Sequence, residues 1–317
     1  MRVLVTGAAG FIGSTTAELL VSLGHDVVAV DDLSVGLLAN VPAGATFVQG
    51  SIGDRDLIQS IGSLDACVHF AGLIAPGDSM KVPETFFTNN VSQTLELLHA
   101  LIDMKVKKFV FSSSCAVYGD KVTIPIDESH PLNPHSPYGQ SKLMVEQALR
   151  WLNDLGKIKS ASLRYFNAAG ATMLHPENHV PEFHLIPMAL AAARGTRERL
   201  DLYGDDYETP DGTCIRDYVH VSDLASAHVL AIGALDRQDQ LVLNLGSGTG
   251  YSNRAIIEAV KEVTGVDFEV RVTARRPGDP AAAVASNEAA RRLLGWELRH
   301  SSLDEIVTDA WSAFQTL

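Results

Sequence analysis

The chain has 317 residues, 46% of them hydrophobic, and a formal net charge of −13. That length suits a large domain with a smaller partner, and the apolar content excludes a disordered chain. The acidic balance argues against binding nucleic acid or an anionic membrane through bulk charge, although local arginines and backbone N–H groups can still hold a diphosphate.

Short β-branched runs alternate with longer helical patterns. Arg2–Thr6 reads as a buried strand and Phe11–Leu23 as a helix ending at Gly24, followed by strands over Asp26–Val30, Ala45–Gln49 and Ala66–Phe70. A long helix is predicted over Phe86–Met104, a strand over Lys108–Ser112, a helix over Tyr138–Leu155 and a strand over Ser160–Arg164. This rhythm predicts the α/β class: a doubly wound parallel sheet of Rossmann type with a smaller α/β substrate domain. Beyond Asn167 the rhythm weakens, because Pro, His and Gly become frequent from Ala168 to Gly212. Cys214–Val221 and Leu241–Leu245 then read as strands that return to the main sheet. The expected division is 1–167 plus about 214–245 for a cofactor domain, and about 168–213 plus 246–317 for a substrate domain.

Cys67, Cys115 and Cys214 are too sparse and odd a set for a disulfide framework and match no zinc spacing, so a reducing compartment and no metal are expected. Val3-Leu4-Val5 enters a strand at once, without a basic and then apolar leader. No apolar run reaches the roughly 18 residues of a membrane span. The expectation is a soluble, cytoplasmic protein.

The first strand runs into Thr6-Gly7-Ala8-Ala9-Gly10-Phe11-Ile12-Gly13, a G-x-x-G-x-x-G turn at a helix start. Gly7 permits a tight turn, Gly10 lets backbone approach a pyrophosphate, and Gly13 lets helix and strand pack closely. The helix N-terminus adds free N–H groups and a partial positive charge. A glycine pattern alone is weak, since turns are rich in Gly. Its place at the head of a β-α-β unit, with Asp31 18 residues after Gly13, points to a dinucleotide site. A carboxylate there accepts ribose hydroxyls and repels a 2′-phosphate, and no Arg or Lys follows before Arg55, so NAD is expected rather than NADP.

Tyr138 and Lys142 stand four apart and share one helix face. A free tyrosine has a pKa of about 10. An ammonium and an oxidised nicotinamide both favour its phenolate, which can take a proton from a sugar hydroxyl as hydride leaves the carbon. The Y-x-x-x-K spacing is common by chance as a surface pair; downstream of the glycine turn, in the first turn of a later helix, it becomes specific. Ser112-Ser113-Ser114 ends the preceding strand, where side chains reach ligands in an open α/β sheet. Ser114 reads as a proton relay or, alternatively, as a loop hydroxyl satisfying backbone. The Tyr138 helix also carries a wide apolar stripe, Leu143, Met144, Ala148, Trp151, Leu152 and Leu155. It is read as ordinary core or as the edge of a homodimer contact.

The segments TGAAGFIGS from Thr6, DDLSVG from Asp31, VHFAGL from Val68 and NNV from Asn89 belong to one pattern with FSSSCAVYG from Phe111 and SPYGQSKLMVEQ from Ser136. RYFNAAGA from Arg164, the run from Tyr203 to Ala225 and RRPGD from Arg275 complete it. Together they resemble the extended short-chain dehydrogenase/reductase family, and within it the UDP-hexose 4-epimerases, over almost the whole chain. The resemblance implies bound NAD and reversible inversion of C4 of UDP-glucose and UDP-galactose through a transient 4-keto sugar. It implies Tyr138 as the base, Lys142 on the nicotinamide ribose, and Ser114 as a bridge between Tyr138 and the sugar. Around the cofactor it implies Gly7, Gly10, Phe11, Ile12 and Gly13, then Asp31, Asp32, Ser34, Ser51 and Ile52, and finally Phe70, Ala71, Gly72, Asn90, Ser112 and Phe166. Beside Ser114 and Tyr138, it implies Asn167, His184, Leu185, Tyr203, Arg216, Arg276 and Asp279 on the UDP-sugar. Bidentate arginine independently suits a phosphate in an acidic protein. The alternative for Arg216 is a salt bridge with Asp217 or a neighbour.

Several positions depart from the family pattern. Ile74 stands where a cofactor-facing Lys is frequent, Ser51 where Asp precedes Ile, Asp32 where Asn is common, and His184 where Asn is usual. Titration of His184 near neutral pH would make substrate binding pH-sensitive. Ala283 is small where enzymes restricted to glucose and galactose carry Tyr, which implies acceptance of N-acetylated sugars. A dehydratase would need an Asp-Glu pair where Cys115 and Ala116 follow Ser114. The alternatives left open are a 4-epimerase of UDP-N-acetylhexosamine, pentose or uronate, and a non-catalytic NAD-binding regulator.

Overall fold

The computed structural model describes residues 1–119, 123–175, 177, 182–276 and 279–316. Its main sheet contains β1 (Arg2–Thr6), β2 (Asp26–Asp31), β3 (Thr46–Gln49), β4 (Ala66–His69), β5 (Lys108–Ser114) and β6 (Lys159–Tyr165), joined by the later strand Gln240–Leu245. All seven are parallel, in the order Gln240–Leu245, β6, β5, β4, β1, β2, β3. The order reverses between β1 and β4, which opens a crevice at the carboxyl ends of the strands. Val3, Leu4 and Val5 are wholly buried, as continuous apolar strands must be when helices cover both faces.

Helices Phe11–Ser22 and Val221–Ala234 cover one face, where Ala17, Leu20, Leu224 and Ala227 share a core. Helices Gln93–Asp103 and Pro137–Asp154 cover the other through Leu97, Leu101, Val145 and Leu149. A separate core lies among helices Leu185–Ala193, Asn253–Thr264 and Leu303–Phe314. It includes Leu200 and Leu202 from a strand that pairs in parallel with Val270–Thr273.

Three expectations are corrected. The strand expected over Cys214–Val221 forms as Ile215–His220 but does not enter the main sheet. It pairs with Asn167–Ala169, Gly250–Ser252 and Ala282–Ala283 in a small sheet of its own. A strand reading Ile-Arg-Asp-Tyr-Val-His places polar groups where a two-faced parallel layer would bury them among hydrocarbon. Second, the stretch after Gly246 does not stay apart from the main sheet: Ala290, Leu294 and Trp296 pack in the Leu224 core, and Trp296 Nε1 donates to the Asp223 carbonyl at 2.9 Å. Third, the helix expected over Phe86–Met104 is broken. Pro83–Phe87 passes through a wide π turn at Thr88–Ser92 before Gln93–Asp103 begins.

The apolar stripe of helix Pro137–Asp154 divides in two. Leu143 is buried, while Met144, Trp151 and Leu155 are 38%, 62% and 66% exposed, more than ordinary core packing accounts for.

Candidate active site

The glycine turn is built as its spacing requires. Gly7 adopts φ +67°, and a Cβ there would lie 2.6 Å from the Ala71 backbone nitrogen. A Cβ on Gly13 would stand 2.1 Å from the Gly7 carbonyl oxygen, so helix Phe11–Ser22 can lie against β1 only with glycine at that position. Gly10 is the helix N-cap, and no side chain caps the first turn, which leaves N–H groups for an anion. Asp31 is 8% exposed and accepts from Ala9 N at 3.0 Å and Leu33 N at 2.8 Å. Burial raises its pKa against those two bonds. Its remaining lone pairs suit ribose hydroxyls.

This turn borders a cavity of about 760 Å³. Gly7, Gly10, Phe11, Ile12 and Gly13 line it, followed by Asp31, Asp32, Ser34 and Ile52. Phe70, Ala71 and Gly72 continue the wall to Ser114, Tyr138 and Phe166. The lining also includes Asn167, His184, Leu185, Tyr203, Arg216, Arg276 and Asp279. The cradle, the buried acceptor and the size of the cleft fit a dinucleotide.

Four expected contacts stand behind the wall. Ser51 Oγ accepts from Gly53 N and donates to Gln93. Asn90 is buried; its Oδ1 accepts from Leu73 N at 2.8 Å, and its Nδ2 donates to Leu73 O and Ser141 Oγ. Ser112 is buried beneath the cavity, and its carbonyl accepts from Lys142 Nζ at 3.0 Å. Lys142 lies 4% exposed, 5.8 Å from the centroid of the Tyr138 ring.

Burial pushes the Tyr138 phenol well above its ordinary range; the Tyr165 phenol adds to this, and a hydrogen bond with Ser114 opposes it. Burial also pushes Lys142 down to about 8, against the pull of Glu146. A phenolate at Tyr138 therefore depends on a further positive charge in the cleft. Ser114 Oγ accepts from Ala116 N at 3.2 Å, so it caps backbone as well as meeting Tyr138.

Arg216 does not pair with Asp217. Its Nη1 donates to the carbonyls of Ile215 and Pro280, and its Nη2 lies 3.6 Å from Asp279. Asp217 is buried instead, accepting from Ser247, Gly248 and Ala285. Arg276 lies over the Tyr203 ring at 3.9 Å, and Asn167 Nδ2 donates to the Asp217 carbonyl. Pro277 and Gly278 of the RRPGD segment lie outside the described residues. His184 opposes the expectation of neutral titration. Burial works against its charge, but the Glu182 hydrogen bond and the charges of Glu177 and Glu182 push it up to about 9. Ala283 is not itself in the cavity lining; it packs in the cluster of Val117, Tyr118, Ile126, Leu143 and Phe166, with Cys115, and of these Phe166 and Cys115 line the cavity. Reasoning from sequence missed Tyr165 and Cys115 in the wall. Tyr165 ends β6 as Ser114 ends β5, and the rule that strand ends meet the ligand identifies both.

A Rossmann-type sheet with a dinucleotide cradle and a Tyr–Lys pair defines a nicotinamide-dependent enzyme of the short-chain type. The profile of the NAD dependent epimerase/dehydratase family matches residues 3–246, and the chain belongs to that family. UDP-glucose 4-epimerase of Halalkalibacterium halodurans is 44% identical over 318 residues, covering 98% of this chain and 95% of the relative. The Streptomyces lividans enzyme of that name is 44% identical over 314 residues, with the same two coverages. Among solved structures, UDP-glucose 4-epimerase from Brucella ovis in complex with NAD is 43% identical at a TM-score of 0.95, covering 99% of this chain and 98% of that one. The Bifidobacterium longum enzyme in complex with NAD+ and UDP is 36% identical at a TM-score of 0.94, covering 100% and 98%.

Proposed function

We propose that this protein inverts C4 of a UDP-hexose, interconverting UDP-glucose and UDP-galactose, with NAD as its cofactor. The observation that carries the reading is the convergence of Tyr138 and Ser114 on one cavity whose lining also includes the glycine cradle and Arg216, Arg276 and Asp279. Gly7 to Gly13 and Asp31 would hold the dinucleotide, and Lys142 its nicotinamide ribose. When bound, NAD supplies the acceptor and donor of hydride at C4 and a positive charge that favours the Tyr138 phenolate.

The protein's own groups move the proton and hold the substrate. Tyr138 Oη takes the proton of the C4 hydroxyl, with Ser114 Oγ as the bridge, and returns it after the sugar has turned. Arg216 and Arg276 grip the diphosphate throughout, so the 4-keto sugar can present its other face without leaving. Equal fixing of the sugar would block that rotation.

The division of labour follows the packing. The main sheet and the elements on its two faces would hold the cofactor, and the smaller layer after Asn167 the nucleotide sugar. A homodimer is supported by exposed apolar side chains: Met144 and Trp151 on helix Pro137–Asp154, Leu155 at its C-cap, and Leu95 on helix Gln93–Asp103. Free Cys67, Cys115 and Cys214 support a cytoplasmic setting. Among the described residues, no helix is long and apolar enough to cross a membrane.

The test is turnover of UDP-galactose by the purified protein with NAD, followed by NMR of the anomeric proton. Tyr138→Phe is expected to lower kcat by at least about a thousandfold, within the range that loss of an acid–base group and its charge allows, while NAD binding persists. Full activity in that variant would remove Tyr138 from the chemistry.

A further inference from the structure

One turn beyond Lys142 on the same helix face lies Glu146, only 7% exposed. Its two oxygens accept three bonds from the Arg164 guanidinium: Nε donates at 3.0 and 3.3 Å, and Nη2 at 2.6 Å. Arg164 itself is 4% exposed and lies on β6. Ser113 Oγ donates to the same carboxylate. Ser113 stands between Ser112, whose carbonyl receives Lys142 Nζ, and Ser114, the partner of Tyr138. The remaining Arg164 nitrogen, Nη1, donates to Tyr118 Oη at 2.9 Å, and Tyr118 donates to Asn244 Oδ1 at 2.7 Å. A buried ion pair adds little to stability compared with well-packed hydrocarbon, so its place directly behind the reacting side chains calls for another role.

We propose that Glu146 is a positioning residue for C4 inversion: clamped by Arg164 and Ser113, it locks the strand end bearing Ser112 and Ser114 against the helix bearing Tyr138 and Lys142, and keeps Lys142 an ammonium. The reaction named here rests on the epimerase reading above; the hold on Lys142 does not. From the helix, Tyr138 and Glu146 face Lys142, and from β5 the Ser112 carbonyl and the Phe111 ring at 5.0 Å. From β4 comes His69, bonded to Thr6 and Thr94 and pushed down to about 3 by burial and then by Lys142, so it carries no charge at neutral pH. Asn90 and Gly72 close the remaining side: a Cβ on Gly72 would lie 3.1 Å from Asn90 Oδ1 and 3.7 Å from Lys142 Nζ. Glu146 is therefore the negative charge that offsets the burial of Lys142, and Arg164 tempers it.

The two halves of the pair should act on Lys142 in opposite directions. Glu146→Gln removes the negative charge and leaves a cation, so the Lys142 ammonium is lost at lower pH. Arg164→Met leaves an unopposed carboxylate and moves the titration upward. The double variant Glu146→Gln/Arg164→Met is neutral, folds without a stranded charge, and should titrate between Glu146→Gln and wild type, because the carboxylate acts on Lys142 more strongly than the guanidinium behind it. The direct readout is the pH titration of the Lys142 side chain by NMR of lysine labelled at Cε, assigned through Lys142→Arg. Shifts of about one pH unit are expected, the size a nearby charge produces at an effective dielectric near 20. The alkaline limb of kcat should move the same way, with kcat of Glu146→Gln down about tenfold and KM for the UDP-sugar within about twofold of wild type. Unchanged Lys142 titration in Glu146→Gln and in the double variant would overturn the proposal. Intact NMR shifts in a wild-type protein that turns over no UDP-hexose would overturn the epimerase reading and leave the hold on Lys142 standing.

Discussion

At His184 the imidazole Nδ1 meets two carboxylates, Glu182 at 2.7 Å and Glu177 at 3.1 Å. Burial disfavours its charge, but the bond to Glu182 and the two negative charges prevail and push it up to about 9. The unfolded value is about 6.5. The stabilisation is therefore fully present below about pH 6.5 and is lost as pH rises through 9. Wild type is expected to melt above His184→Gln at about pH 6, with the gap closing towards about pH 10. A gap of constant size across that range would show that the ring's charge is not what the carboxylates hold. This pairing was not legible in the sequence, because it depends on where Glu177 sits after the chain folds. Tyr138 and Lys142 were legible, since four-residue spacing on a helix needs no knowledge of tertiary contacts. Arg216 is an intermediate case: its place at the cavity could be read from the pattern, whereas its preference for Asp279 over the adjacent Asp217 is decided by which carboxylate the loop backbone has already engaged.

The interrupted helix before β5 shows how an element departs from its periodicity to serve a site. Apolar spacing over Phe86–Met104 suggests one continuous helix, and nothing in it announces the wide turn at Thr88–Ser92. Within that turn Asn90 reaches out of the helix and brackets Leu73, accepting from its N–H and donating to its carbonyl. Such turns recur where a side chain must be aimed. Asn90→Ala strands both backbone groups of Leu73 and frees the segment that walls the cavity beside Gly72. The expected cost is about 1–3 kcal/mol of stability and a roughly tenfold weaker hold on NAD. Calorimetric titration with NAD, beside a thermal melt, checks both; unchanged affinity in a destabilised variant would confine Asn90 to a structural role. The strand expected over Cys214–Val221 forms as Ile215–His220 outside the main sheet for a related reason. Its β-branched character was visible, but the identity of its partners depends on segments 48 and 35 residues away, at Asn167 and Gly250.

On the scale of the whole molecule, helix Pro137–Asp154 carries both site residues and an exposed apolar face. Its first two turns hold Tyr138 in the cavity wall and Lys142 behind it, and its last turn and C-cap carry Trp151 and Leu155 to the surface. Leu95, at 42% exposed, is a further apolar side chain on helix Gln93–Asp103, which rests on the same underlying core. An exposed tryptophan and aliphatic side chains on helices that rest on one core suit the homodimer contact proposed above. A twofold interface would bring each such face against its copy, so one substitution acts twice. Trp151→Glu places a charge on both sides of that contact, at a side chain that is 62% exposed in the single chain. The variant is expected to keep its circular dichroism and its melting transition at high dilution, and to read as a monomer in light scattering at concentrations where wild type is expected to read as a dimer. The melting temperature of wild type should also rise with concentration and that of the variant should not, because association binds the folded state alone. A wild type that is monomeric at about 100 μM, or a variant that dimerises equally well, would leave the face without a partner copy; a dimer lost together with kcat would tie the placement of Tyr138 to the neighbouring subunit through a single rigid helix.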